Sequence, residues 1–196
     1  MSGPSGAERK PRADALRNRE LLIEAAKAGF AETGPDVTLE EIARRASVGI
    51  GTLYRHFPTR DAIVEAVYRR ELQQLAEAAT RLQASLPAAE ALRQWMGVFV
   101  DYIATKKIIA SALGSIVGGA SELYAASGVL INGAMSELVQ GAVGAGEIRP
   151  DADPADLLRA LVGFTYGATG PGWQASALRL IDILMDGLRP QVQRRG

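Results

Sequence analysis

The sequence has no cysteine and only one histidine, His56, in 196 residues. Disulfides and thiolate metal sites are therefore excluded, and so is any metal site that needs several histidines. We accordingly expect neither a metal nor a cofactor. A chain without cysteine also fits a cytoplasmic location, and this is the expected location.

The sequence also lacks a net charge and a long hydrophobic run. Its 22 basic residues balance its 22 acidic residues, so the total charge favours no class of partner. The uncharged stretch that begins at Ile108 covers 14 residues before Glu122, which is too short for a bilayer core of about 30 Å. Residues 1–19 have no apolar centre, so we expect no secretory signal there. No membrane association is predicted.

Basic residues are concentrated near the amino terminus. Five of them fall within residues 9–19, and others follow in the short elements up to Arg60. Acidic neighbours such as Glu40 and Glu41 dilute this patch, so it is only moderately positive. We expect residues 1–12 to form a disordered basic tail.

Helix signals are strong in the first third of the chain. Apolar residues at helical spacing predict a first helix over residues 13–33, which a Gly-Pro pair ends. The stretch Thr38-Leu-Glu-Glu41 matches the capping box, and a second, short helix is therefore predicted to begin at Thr38.

A tight turn at Ser47-Val48-Gly49 separates this helix from a third one over residues 50–57, which a proline ends. Thr59 is suited to cap a fourth helix. Three short helices with such a turn before the third describe a helix-turn-helix, which we assign to residues 13–62.

The rest of the chain, residues 63–196, also reads as helix. A proline opens an amphipathic helix over residues 88–107, and the glycine-rich region 108–146 is expected to hold two helices. Asp153 followed by proline is a strong helix start, and a last helix is predicted around residues 175–188. No strand pattern occurs, so the fold class is all-α: an N-terminal three-helix helix-turn-helix domain followed by a second, helical domain.

The third helix carries the predicted chemistry. In a helix-turn-helix the second helix of the motif enters the major groove with its first residues at the base edges. Two glycines keep this start bare, Thr52 can contact a base edge, and Tyr54 and His56 can donate to phosphates of double-stranded DNA. The predicted DNA-binding residues are Thr38, Gly49, Ile50, Gly51, Thr52, Tyr54, Arg55, His56 and Arg60. The alternative is a tight helical corner in which Tyr54 and His56 pack on neighbours.

The stretch "VTLEEIARRASVGIGTLYRHFPTRDAIVEAV", preceded by "LLIEAAKAGFAETG", resembles the DNA-binding region of TetR-family (tetracycline-repressor-type) transcriptional regulators. The resemblance covers roughly residues 15–67 and is specific in its G-T-L-Y-x-H-F segment. It implies a homodimer that binds a near-palindromic operator. Such a dimer is usually a repressor that releases the DNA when a small molecule binds to it. Such a ligand is expected to enter the second domain and shift the fourth helix.

The chain departs from the family pattern at two positions. Gly49 stands where such proteins often have a capping serine or threonine, and it is a weaker cap. Ile50 stands where they often have a basic or polar residue. An isoleucine there loses a hydrogen bond or an ion pair, but it can pack on a thymine methyl.

Aromatic residues in the second domain are the candidates for an effector cavity. Such cavities are apolar with a few polar groups, which predicts a lipophilic or aromatic effector. The predicted ligand-binding residues are Trp95, Phe99, Tyr102, Tyr124, Phe164 and Tyr166. Ordinary core packing is the alternative for each of them, and Asp101 or Glu122 could pair with a cationic effector.

The last two helices are too apolar for a solvent-facing surface, and small residues allow close approach. Packing against the same helices of a second copy would form a four-helix interface. The predicted dimer residues are Leu157, Leu161, Phe164, Leu178, Ile181, Leu184 and Met185. Burial inside the chain's own domain is the alternative.

Other function classes fit less well. The sequence shows no nucleophile–base pairing and no phosphate-binding glycine loop, so an enzyme is not expected. A helical adaptor with altered DNA binding, or an activator of the same fold, remains open.

Overall fold

The computed structural model describes residues 9–114, 120–168 and 170–190, but not the side chains of residues 9–12, 111, 114, 120–124 and 126. All regular elements in these ranges are helices. Their bounds are α1 Arg9–Thr33, α2 Leu39–Arg45, α3 Ile50–His56, α4 Arg60–Ser85, α5 Ala88–Gly114, α6 Ala120–Gly144, α7 Pro154–Gly167 and α8 Trp173–Gly187. The all-α class predicted from the sequence is confirmed.

The chain divides into two compact units. The first contains the described residues of 1–70 and 105–117, and the second contains those of 71–104 and 118–196. The first boundary between the units therefore falls inside α4, eight residues after the boundary predicted at residue 62, and the next one falls inside α5.

In the first unit α1, α2 and α3 pack on one another. Leu22, Ala26 and Phe30 lie on the buried face of α1, at the helical spacing that predicted this helix. The helix begins at Arg9, so residues 9–12, predicted as a disordered tail, form its first turn. It ends at Gly34, whose φ of 85° favours glycine.

The helix-turn-helix has the predicted caps. Thr38 is the N-cap of α2, where its Oγ1 accepts from the backbone N–H of Glu41 at 3.2 Å. The turn before α3 contains Ser47 with φ 53°, a left-handed conformation that is uncommon for a residue other than glycine. Gly49 is the N-cap of α3 and gives no side-chain hydrogen bond.

The second unit contains the largest difference from the sequence-based expectation. Two helices were expected within residues 108–146, but α5 continues to Gly114 and Ala120–Gly144 form one helix. Gly128, Gly133 and Gly141 therefore lie within α6 without interrupting it. Burial of Met135, Leu138 and Val139 in the core offsets the unfavourable helix propensity of these glycines.

Helices α7 and α8 complete this unit, and α7 packs on both α6 and α8. Asp153 is the N-cap of α7, with Oδ1 accepting from the backbone N–H of Ala155 at 2.7 Å and of Asp156 at 3.1 Å. Proline at the first position completes the predicted start signal.

Candidate DNA-binding surface

Two apolar side chains anchor α3 to the first unit. Leu53 is fully buried, and Phe57, which follows the last helical residue, is 2% exposed. The Arg19 guanidinium lies over the Phe57 ring at 5.2 Å from its centroid, which adds a cation–π contact from α1. The spacing of four residues between these anchors fixes which face of α3 is turned outward.

The opposite face of α3 is open to solvent. Ile50 is 40% exposed and Tyr54 is 46% exposed, both large fractions for residues of this size. Gly51 and Arg55 are also exposed, while Thr52 and His56 are half-buried. The predicted contact residues of α3 are thus brought together on one surface, with Gly49 exposed at its amino-terminal end.

The glycines at the start of α3 have no internal reason to be glycine. Gly49 has φ −63°, which any residue can adopt. A Cβ built on Gly49 or on Gly51 would meet nothing within 4 Å. Their small size therefore leaves space outside the subunit, as close approach to a partner requires.

Thr38 lies at the amino end of α2 and is exposed. Because its Oγ1 acts as the acceptor in the N-cap bond, the hydroxyl proton remains available to donate to an external group. Donation to a phosphate is consistent with this geometry.

An ion-pair cluster reduces the positive charge of α2. Glu41 accepts from Arg44 at 2.7 Å and from Arg45 at 2.7 Å, and Arg45 also pairs with Glu32 of α1 at 2.6 Å. The hydrogen bonds from Arg44 and then Arg45 lower the pKa of Glu41 to about 2. In a capping box Glu41 would accept from the Thr38 N–H; its carboxylate is instead shared between two arginines.

Arg60, predicted to contact a phosphate, is turned inward. Its Nη1 donates to the Val37 carbonyl oxygen, and its Cζ lies 5.9 Å from the centroid of the Phe30 ring. Direct phosphate contact by Arg60 would require these interactions to break.

Comparison with known proteins identifies the family of the chain. Residues 22–67 match the family model for bacterial regulatory proteins of the tetR family. Residues 87–190 match the model described as transcriptional regulator SbtR-like, C-terminal domain. The chain belongs to the TetR family. TetR-family regulators bind DNA, usually as dimers, and respond to small-molecule effectors.

Solved TetR-family structures agree with this. The chain is 44% identical to the TetR regulator SCO0520 from Streptomyces coelicolor, with a TM-score of 0.81, over 89% of this chain and 99% of that one. It is 34% identical to a TetR regulatory protein from Mycobacterium vanbaalenii, with a TM-score of 0.76, over 91% and 98%.

A curated relative matches only in part. It is the HTH-type transcriptional regulator SAR0097 of Staphylococcus aureus strain MRSA252, 31% identical over 71 residues. The matched region is 35% of this chain and 37% of that protein.

Three of the aromatic residues predicted to bind an effector lie together in the interior of the second unit. Trp95, Phe99 and Tyr102 are buried along α5, with ring centroids 6.0 and 5.8 Å apart in sequence order. The Trp95 Nε1 donates to the Leu75 carbonyl oxygen at 2.9 Å. These three side chains therefore pack as core.

The other three lie elsewhere. Phe164 is half-buried and Tyr166 is 45% exposed, both on α7. The side chain of Tyr124 lies outside the described residues, as does that of Glu122. Asp101 is exposed on α5.

The second unit contains concave sites. An apolar crevice beside Trp95 is too narrow to admit a water molecule. It is lined by Leu72, Leu75, Ala76, Trp95, Leu130, Ile131 and Ala134. A larger open groove is polar and is lined by charged residues that include Glu90, Arg93 and Asp182.

The predicted dimer residues divide into two groups. Leu157, Leu161 and Ile181 are at most 6% exposed within the subunit, so they belong to its own core and offer no surface to a partner. Phe164, Leu184 and Met185 are half-buried, and Leu178 is exposed. For the first group the alternative of internal burial is correct, because α7 and α8 must also cover the rest of their unit.

Sequence reasoning missed several exposed apolar side chains on the same two helices. Val162 lies on α7, and Leu180 and Ile183 lie on α8, where Ile183 is 66% exposed. The signal in the sequence is their spacing: each lies one or two residues from Leu161 or Ile181 and therefore on a different face of its helix.

No helix among the described residues is long and apolar enough to cross a membrane. The same residues contain no group of three or more acidic or histidine side chains arranged to hold a metal ion.

Proposed function

We propose that this TetR-family regulator is a repressor that binds a near-palindromic operator as a homodimer and is released by a small lipophilic or aromatic effector in the cytoplasm. The observation that carries the proposal is α3, which Leu53 and Phe57 hold on one face. Its other face exposes Ile50, Tyr54 and Arg55 beside a bare helix start. This is the form of a helix that enters a major groove.

The exposed apolar face of α7 and α8 supports the homodimer. Burying a side chain the size of Ile183 contributes about 1.5–3 kcal/mol of favourable free energy. Val162, Tyr166 and Leu180 lie on the same two helices and are also exposed. In a twofold dimer these side chains would be covered in both subunits. The dimer would also present two copies of α3 to half-sites about 34–36 Å apart or somewhat more.

We place the effector beside Trp95, in the apolar crevice described above. The crevice is too narrow for a water molecule in this structure, so a ligand must widen it. Leu72 and Leu75 of α4 form part of its wall. A ligand that binds better to the widened arrangement would thereby bias α4, the helix that begins four residues after α3 ends.

Selection from randomised duplexes, followed by a mobility shift with a compound library, tests this function. The expected result is enrichment of a near-palindromic sequence and its release by lipophilic or aromatic compounds. Enrichment without release by any compound contradicts the effector assignment.

The second candidate is an adaptor that binds protein partners, or an activator of the same fold. Ile50 favours the adaptor, because the start of α3 then has no hydrogen-bonding side chain before Thr52. An adaptor would enrich no sequence in the selection. An activator would enrich an operator and raise transcription from a reporter that carries it.

A further inference from the structure

Arg60 is the first residue of α4, and its guanidinium is held inside the first unit. It donates from Nη1 to the Val37 carbonyl oxygen and stacks near the Phe30 ring. Its Nη2 is also buried and has no hydrogen-bond partner among the described residues. All three observations orient the guanidinium toward the interior of the first unit, and the residue as a whole is half-buried.

Val37, the residue that Arg60 holds, is fixed from two directions. Its side chain is 2% exposed and packs on Gly29 of α1, where an added Cβ would lie 3.0 Å from Val37 Cγ2. Its carbonyl oxygen is held by Arg60. Val37 therefore cannot shift without disturbing α1 or α4.

Thr38 follows directly and is the exposed N-cap of α2. Its backbone is extended, with φ −81° and ψ 158°, and its Oγ1 accepts from the backbone N–H of Glu41. Because one rigid peptide unit joins Val37 to Thr38, the position of the Val37 carbonyl sets the direction in which Thr38 leaves the core.

We propose that Arg60 is a positioning residue for DNA binding: it holds Thr38 at the start of α2 through the Val37 carbonyl, and it does not itself contact a phosphate. This inference rests on the proposed operator binding. The guanidinium donates to the carbonyl from Nη1 while its Cζ lies over the Phe30 ring. Lysine has a single nitrogen for both contacts, so it should substitute poorly.

The first test compares two equivalent changes, Arg60→Gln and the matched control Arg55→Gln, in full-length protein bound to the selected operator. Arg55 is exposed on α3. We expect Arg60→Gln to lower operator affinity about tenfold, as loss of a charged hydrogen bond does. Its slope of log K against log salt should be unchanged, whereas Arg55→Gln should reduce the slope by about 1.

The second test measures coupling, which a general loss of stability would not produce selectively. Thr38→Ala should weaken binding in the wild-type chain but change it less than about twofold in the Arg60→Gln chain, because Thr38 is then already misplaced. Tyr54→Phe, on α3, should have the same effect in both chains.

Circular dichroism at the binding temperature checks that each variant is folded. If Arg60→Gln does not fold, Arg60→Met keeps the aliphatic part of the side chain and removes the charge, and the same two measurements apply to it. A salt slope reduced by about 1, or additive effects of Thr38→Ala and the Arg60 change, overturns the inference. Failure to select any operator with the wild-type chain instead overturns the proposed function.

Discussion

Gly51 is in the first turn of α3, where glycine is unfavourable and where an added Cβ meets nothing within 4 Å. Gly51→Ala should stabilise the fold by roughly 0.5–1 kcal/mol, because alanine loses less backbone entropy in a helix. Under the proposed function the same methyl group separates α3 from DNA, so operator affinity should fall. Thermal unfolding and a mobility-shift titration measure the two effects.

Gly133→Ala is the matched control for this change. Gly133 is an exposed glycine of α6 that also has no neighbour near its Cβ position. It should give a similar gain in stability and leave operator affinity unchanged. Full operator affinity in the Gly51→Ala protein would show that DNA does not approach this helix start closely.

The proposed DNA contact of Ile50 can also be tested, in this case by removing one methyl group from the DNA. Its exposed side chain has no polar atom, so its best contact at a base edge is the C5-methyl of thymine. Replacing the contacted thymine by deoxyuridine should weaken binding of the wild-type chain about fourfold, the value of one buried methyl. The Ile50→Ala chain should not distinguish the two operators, and equal discrimination by both chains would refute the contact.

Among the helices, an ion-pair cluster joins α5 to α8. The side chain of Arg93 contacts Glu90 at 2.8 Å on its own helix and Asp182 of α8 at 3.3 Å. The hydrogen bonds from Arg93 and then Gln94 lower the pKa of Glu90 from 4.5 to about 2. Folding is thus coupled to the ionised form of Glu90.

The pH dependence of stability follows from the direction of this shift. A carboxyl group whose pKa falls on folding contributes fully above 4.5 and loses its contribution as the pH falls to about 2. We expect Glu90→Gln to lower the free energy of unfolding near neutral pH by at most about 1 kcal/mol, since solvent screens this partly exposed pair. Thermal unfolding from pH 7 to pH 2 should show the two proteins converging, and a constant difference would contradict the coupling.

Local signals predicted the starts of several helices. Thr38, Gly49 and Asp153 each begin a helix in the structure as predicted, because a cap acts through atoms two or three residues away. The continuity of α6 was not predictable in this way. Gly128 and Gly133 weaken its local propensity, and only core burial, which depends on distant residues, maintains the helix.

The candidate site was predictable to the same extent. The exposed face of α3 follows from the spacing of Leu53 and Phe57, which is a local property. The inward direction of Arg60 depends on Val37 and Phe30, which are 23 and 30 residues away in the chain. Likewise, Leu161 and Ile183 are both apolar residues of predicted helices. Only the packing of the folded chain decides that Leu161 is buried and Ile183 is exposed.

For the whole molecule, the dimer is the property to test first. Ile183→Glu places a charge at the most exposed of the large apolar positions on α7 and α8. Because this side chain has little internal contact to lose, the fold should be retained while the proposed interface breaks. Sedimentation analysis should then show a monomer, and operator affinity should fall steeply because single half-sites bind weakly.

Leu16→Glu is the control for the dimer test. Leu16 is 67% exposed on α1, and the same change there should leave the dimer intact. A dimer that survives Ile183→Glu would remove α8 from the interface.

The carboxylates of Glu32 and Glu41 pair with two arginines of α2, and this pairing bears on how the regulator would search a genome. Attraction to DNA of arbitrary sequence comes almost entirely from unneutralised cations. With Arg44 and Arg45 compensated within the subunit, dwell times on unrelated sequence should be short. Occupancy of the operator would then depend on base contacts more than on charge, and few molecules per cell would be held at competing sites.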